Sequence, residues 1–120
     1  MNDILIFQKT RDHYLSNADE TIEKKEYRKA SELLWGGVTQ QVKFLAASKN
    51  IRIRSHTDFR NFIRALSIEL KDPGTYDLFI TIEQLHRNFY DEIIPEEDFP
   101  LYYKKVYLLI KKLNEIMNIK

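Results

Sequence analysis

Groups able to do chemistry lie closest together in Leu85-His86-Arg87-Asn88-Phe89-Tyr90. At helical spacing His86 and Tyr90 stand one turn apart on one face, while Leu85 and Phe89 belong to an adjoining apolar stripe. An imidazole can accept or donate a proton, a guanidinium holds phosphate, and a carboxamide pairs with bases or peptide groups. His86, Arg87, Asn88 and Tyr90 are therefore candidate ligand-binding residues. The competing reading is a partly buried, hydrogen-bonded cluster at a helix interface.

A second constellation is basic. Lys49, Arg52, Arg54, Arg60 and Arg64, with His56 among them, form the densest run of positive charge. His56, Arg60 and Arg64 fall at i, i+4 and i+8 on one helix face. Such a strip could track a phosphate backbone, which makes these residues candidates for nucleic-acid binding; otherwise it is a solvated face.

Other chemistries find little support. The three histidines, His13, His56 and His86, sit on different expected elements, without HxxxH or HExxH spacing, and cysteine is absent. Thiolate zinc sites, cysteine nucleophiles and disulfides are thereby excluded, and neither a metal site nor a cofactor is expected. No GxSxG turn accompanies a histidine, so no catalytic residue is assigned. The acidic stretch Asp91, Glu92, Glu96, Glu97 and Asp98 lacks the spacing and glycine of a calcium loop. Gly36-Gly37 lacks the strand and lysine of a phosphate loop, so close helix packing explains it better.

The chain of 120 residues has a formal charge of +1, so any hold on nucleic acid must come from local clustering. Its length fits a single domain, residues 1–120, with one core. The amino terminus lacks a basic leader region and no apolar run reaches the roughly 20 residues of a membrane span, so a cytoplasmic protein with no membrane association is expected. Strand-like alternation is scarce while helical spacing recurs, which indicates an all-α fold.

About five helices must position the candidate residues. The first, capped by Asn2 or Asp3, carries Ile4, Phe7, Arg11, Tyr14, Leu15, Ala18 and Ile22 on one stripe. A tight corner at residues 24–27 leads to the core helix, Tyr27 to Ala47, whose Ala30, Leu33, Leu34, Gly37, Val38, Gln41 and Leu45 face inward, widened by Trp35, Val42 and Ala46. Gly36-Gly37 lets another backbone approach there. After an extended stretch to Arg54, Ser55-His56-Thr57-Asp58 forms a capping box, with Ser55 accepting from the Asp58 N–H and the Asp58 carboxylate reaching back to Ser55. Phe59, Phe62, Ile63, Leu66 and Leu70 follow in phase, and Asp72-Pro73-Gly74 stops the helix. Thr75 is read as the next cap. The fourth helix is expected to bury Leu78, Ile82, Leu85, Phe89 and Ile93, leaving Phe79, His86 and Tyr90 on a second stripe that a partner copy would cover. A last helix from Asp98-Phe99-Pro100 buries Tyr102, Val106, Leu109, Ile110, Leu113 and Met117.

The segment Tyr27 to Trp35 running on to Ala46, the His56 to Phe59 helix start and Leu85-His86-Arg87-Asn88-Phe89-Tyr90 together resemble the HEPN superfamily of small helical domains, close to its archaeal PaREP-type branch. That resemblance implies an up-and-down helical bundle that commonly dimerises and acts in defence or toxin–antitoxin systems, often beside a nucleotidyltransferase-like partner. Active HEPN ribonucleases use an arginine, a polar residue and a histidine a few positions later, brought together across the dimer without metal. Arg87-Asn88 matches the first half of that pattern; no histidine follows His86. The expectation is thus a non-catalytic module binding RNA, a nucleotide or a partner protein through the His86 to Tyr90 surface, as a homodimer. The alternatives are a metal-independent ribonuclease using Arg87, Asn88 and His86, and a structural dimerisation adaptor.

Overall fold

A computed structural model describes the backbone of residues 2–118 and the side chains of residues 4–117. Its described residues form five α-helices and a single 3-10 turn, with no strand: α1 (Asn2–Glu23), α2 (Tyr27–Ser48), α3 (His56–Leu70), α4 (Pro73–Asp91), the turn Glu96–Asp98, and α5 (Phe99–Asn118). The expected cap of α1 at Asn2 or Asp3 lies outside the described side chains.

The core helix is α2, which touches all four others. Its corner with α1 is made without glycine: Lys25 adopts φ 61°, and the Glu26 N–H returns to the Thr21 carbonyl at 2.9 Å. The two helices then run antiparallel, Arg11 meeting Gln41 and Leu15 meeting Gly37. A Cβ on Gly37 would stand 2.6 Å from Leu15 Cδ2, so the glycines do admit a close neighbour. Arg11 is buried on this seam and donates to Gln41 Oε1 at 2.6 Å; Gln41 Nε2 in turn donates to Asn114 of α5 at 2.9 Å. A polar relay therefore ties three helices together.

Ser55 caps α3 as its sequence indicates, accepting from the Asp58 N–H at 3.1 Å. The Asp58 carboxylate, however, accepts from the Arg54 N–H at 2.8 Å and not from Ser55. The segment 49–55 doubles back along α2, so His56 and Phe59 reach Trp35 in the middle of that helix. Since Arg60 meets Glu83 and Arg64 meets Tyr76, α3 is antiparallel to α4 and runs in the same sense as α2, which interrupts a strict up-and-down alternation. The α3–α4 stop falls where Pro73 predicts it. Lys71 closes α3 at φ 56°, Asp72 is the N-cap and Pro73 opens the first turn. Thr75, expected as the cap, is buried and donates its hydroxyl to Asp72 Oδ2 at 3.1 Å.

Core packing follows the sequence pattern at the centre of the bundle and departs from it on α4 and at several helix ends. Leu34, Val38, Leu45, Ile63, Ile82, Leu85, Val106 and Leu109 are fully enclosed. Leu33, Phe89, Tyr102 and Met117 are only half-buried, and Leu70 is exposed. On α4 the buried stripe is Thr75, Phe79, Ile82, Leu85 and Asn88, rotated from the expected seam; Leu78 is half-buried, and Ile93, expected on this helix, lies beyond its end at Asp91 and is exposed. Phe79 has no exposed surface and packs on Trp35 with ring centroids 5.5 Å apart. The surplus apolar stripe that motivated a partner copy is therefore covered within one chain, apart from Tyr90.

Candidate functional site

The rotation of α4 sets the site. With Phe79, Ile82 and Leu85 turned inward, Glu83, His86, Arg87 and Tyr90 line its flank beside α3 and α2. His56 is brought there by the Ser55 cap, which fixes it in the first turn of α3, and Arg60 follows one turn on. From α2 come Glu32 and Trp35. A cleft of about 410 Å³ opens between α3 and α4, lined by His56, Arg60, Glu83, His86 and Arg87 among others, with Tyr90 at the edge of His86.

Trp35 is its floor. The indole is 5% exposed, stacks on the His56 imidazole with an interplanar angle of 8° and centroids 6.1 Å apart, and lies 5.9 Å from the His86 ring. The two imidazoles are 5.1 Å apart, and Tyr90 meets His86 edge-on at 5.5 Å. Each histidine also faces its own carboxylate. His86 Nδ1 is 2.8 Å from Glu32 Oε1; a carboxylate only accepts, so Nδ1 carries the proton and Nε2 is left to exchange one or bind a ligand. His56 Nδ1 lies 3.5 Å from Glu83 Oε2, and the same carboxylate accepts from Arg60 Nε at 3.0 and 3.2 Å. The Glu83 side chain is 12% exposed, and its hydrogen bond to Arg60 raises the guanidinium further above its ordinary range, keeping it charged. Among the described residues no group of three or more histidine, aspartate or glutamate side chains is placed to hold a metal ion.

The candidate residues read from sequence are divided by the structure. His86 and Tyr90 share this cluster, and the exposed Arg87 lines the cleft, in loose contact with Asp91 at 3.5 Å. Asn88 is 2% exposed and faces away: its Nδ2 donates to Ser31 at 2.9 Å and its Oδ1 accepts from the Ile94 N–H at 2.7 Å, locking the exit from α4. Of the basic residues, Arg60 joins the cleft. Arg64 lies over the Tyr76 ring at 4.7 Å and donates to its hydroxyl at 2.6 Å; Lys49 approaches Glu69 at 3.9 Å; Arg52 and Arg54 are exposed on the connecting segment. The strip is thus interleaved with carboxylates, and one end of it meets the histidine surface. His13 stands apart on α1 beside Asn17.

Glu32, Trp35 and Glu83 were missed as site residues. Glu83 shares a face with His86 and Arg87 at i+3 and i+4, a signal present in the sequence. The pairing of Glu32 and Trp35 with His56 and His86 depends on how three helices cross, which no single segment encodes.

Compared with known families, residues 8–110 match the model of the archaeal PaREP1/PaREP8 family. Neither a curated protein nor a solved structure matches the chain.

Proposed function

The chain belongs to the archaeal PaREP1/PaREP8 family, and we propose that it is a non-catalytic, HEPN-like helical module that binds a nucleotide or a short single-stranded RNA segment in the cleft between α3 and α4. The observation that carries this is the convergence of the His56, His86 and Tyr90 rings beside two arginines, Arg60 and Arg87. Unpaired bases are held by stacking on aromatic and guanidinium planes, worth about 1–3 kcal/mol per base, while arginines take the phosphates. Tyr90, 62% exposed, offers a free ring face, and Arg87, only loosely held by Asp91, is the cation most open to phosphate. The Glu83 charge is paired with the Arg60 guanidinium, and Glu32 is turned toward the His86 ring. Their role in this reading is to orient those groups. Residue-level likeness to HEPN domains supports a toxin–antitoxin or defence setting and a homodimer.

One distance favours a second reading. Imidazoles 5.1 Å apart, each beside a carboxylate, form an acid–base pair able to move both protons of a metal-free phosphodiester transfer. His56 would then supply the histidine that does not follow Arg87-Asn88. Incubating purified protein with single-stranded RNA, and scoring binding and cleavage separately, tests both. Binding without cleavage is expected; cleavage lost in His56→Ala and His86→Ala would establish the second reading, and the absence of both binding and cleavage would remove the first and second together.

A further inference from the structure

A second cleft, sharing no residue with the first, opens where the end of α1 and the starts of α2 and α5 meet, with a volume of about 440 Å³. Its walls are aromatic and apolar: Tyr27 and Phe99, with centroids 5.0 Å apart, then Pro100, Tyr103 and Ile22. Asp19 and Glu23, one turn apart on α1, stand over it. No lysine, arginine or histidine lines it, and among the described residues neither carboxylate forms a salt bridge. Asp19 accepts a hydrogen bond from the Tyr103 hydroxyl at 2.8 Å. That donor is neutral, because burial, and then the bond to Asp19, push the Tyr103 hydroxyl well above the ordinary phenol range. The carboxylate charge is therefore oriented but not cancelled. Arg28, which adjoins Tyr27, is held by the Phe89 carbonyl and by Glu92, and with Lys25 and Lys29 it lines a different depression.

We infer that this cleft binds a small organic cation: an ammonium group on an apolar stem, set against the Tyr27 and Tyr103 rings and facing Asp19 and Glu23. Aromatic faces carry negative potential that attracts ammonium groups, most strongly where water is displaced. Alkyl substituents on the nitrogen suit the apolar walls, whereas a bare metal ion would find only two carboxylates and a phenol. The volume is on the scale of small-molecule sites. This inference is independent of the α3–α4 cleft and survives or fails without it.

The test is NMR titration of the tyrosine ring resonances with tetramethylammonium and n-butylammonium chloride, against sodium chloride and 1-butanol. Saturable shifts at Tyr27 and Tyr103 are expected with both organic cations and with neither control. Asp19 and Glu23 are exposed, so the double variant Asp19→Asn, Glu23→Gln is expected to keep its helicity by circular dichroism while binding about tenfold more weakly. Tyr27→Leu, which removes one ring, is expected to weaken binding as well. No saturable shift with either cation, equal binding of 1-butanol, or unchanged affinity in the double variant would each overturn the inference.

Discussion

His56 and His86 lie ring to ring, 5.1 Å between centroids, although one opens α3 and the other sits in the second half of α4. Neither helix alone sets that distance. Both rings rest on Trp35 of α2, and each is turned by a different carboxylate, Glu83 for His56 and Glu32 for His86. The cleft is therefore a product of the packing of three helices around one indole.

Removing that indole should damage stability and site together. Trp35→Ala is expected to cost about 3–5 kcal/mol, the usual range for truncating a large buried aromatic. Urea denaturation followed by circular dichroism measures it. A loss well below 1 kcal/mol would mean that Trp35 is not the common floor of the two imidazoles.

Asn88 is assigned here to structure. Asn88→Ala leaves the Ile94 N–H without its acceptor and takes one donor from the Ser31 oxygen, whose own hydroxyl still donates to the Tyr27 carbonyl, and a loss of about 1–3 kcal/mol is expected. Amide exchange at Ile94 should accelerate in the variant. Undiminished stability combined with lost ligand binding would return Asn88 to the site.

Gly37 is expected to be intolerant of bulk. A side chain there meets Leu15 at 2.6 Å before anything else, so Gly37→Val should overpack the α1–α2 seam at a cost of about 1–3 kcal/mol. A variant as stable as the wild type would show that α1 can slide away freely.

Acid sensitivity should be traceable to one helix start. The hydrogen bond from Lys112, and next that from Thr75, hold the Asp72 carboxyl below its ordinary range. A carboxyl depressed on folding stabilises the native state above its unfolded pKa, and that contribution disappears as the pH falls through its folded pKa. Asp72→Asn should therefore lower the melting temperature at neutral pH, and the gap to wild type should close on acidification below the carboxylate range. A gap that stays constant with pH would contradict the assignment.

Much of this architecture is legible along the chain because the deciding residues act locally. Pro73 ends α3, Ser55 caps it and Gly37 marks a close approach, each through the geometry of its own few residues. The phase of α4 is not legible in that way. Leu78, Phe79, Ile80, Ile82, Leu85 and Phe89 make an apolar arc wide enough for two seams, and both contain Ile82 and Leu85. Trp35, whose indole takes Phe79, settles which flank faces inward, while Ile93 drops out of the seam because α4 ends at Asp91 and Glu92 turns left-handed at φ 49°. The same rotation buried Asn88 and brought Glu83 beside His56. His86, Arg87 and Tyr90 could be read from their spacing; Glu32 and Trp35 could not, because their partners lie on other helices.

The most direct measurement uses Trp35, the single tryptophan of the chain, as its own reporter. The indole sits under both imidazoles, so a nucleotide or single-stranded RNA that moves those rings on entering the α3–α4 cleft is expected to change its emission. Titration at two salt concentrations is expected to give a saturable change that weakens with salt, and Arg87→Glu should lower the affinity and reduce the logarithmic salt slope by about 1. Emission that does not respond to either ligand, or a response indifferent both to salt and to Arg87→Glu, would contradict the account.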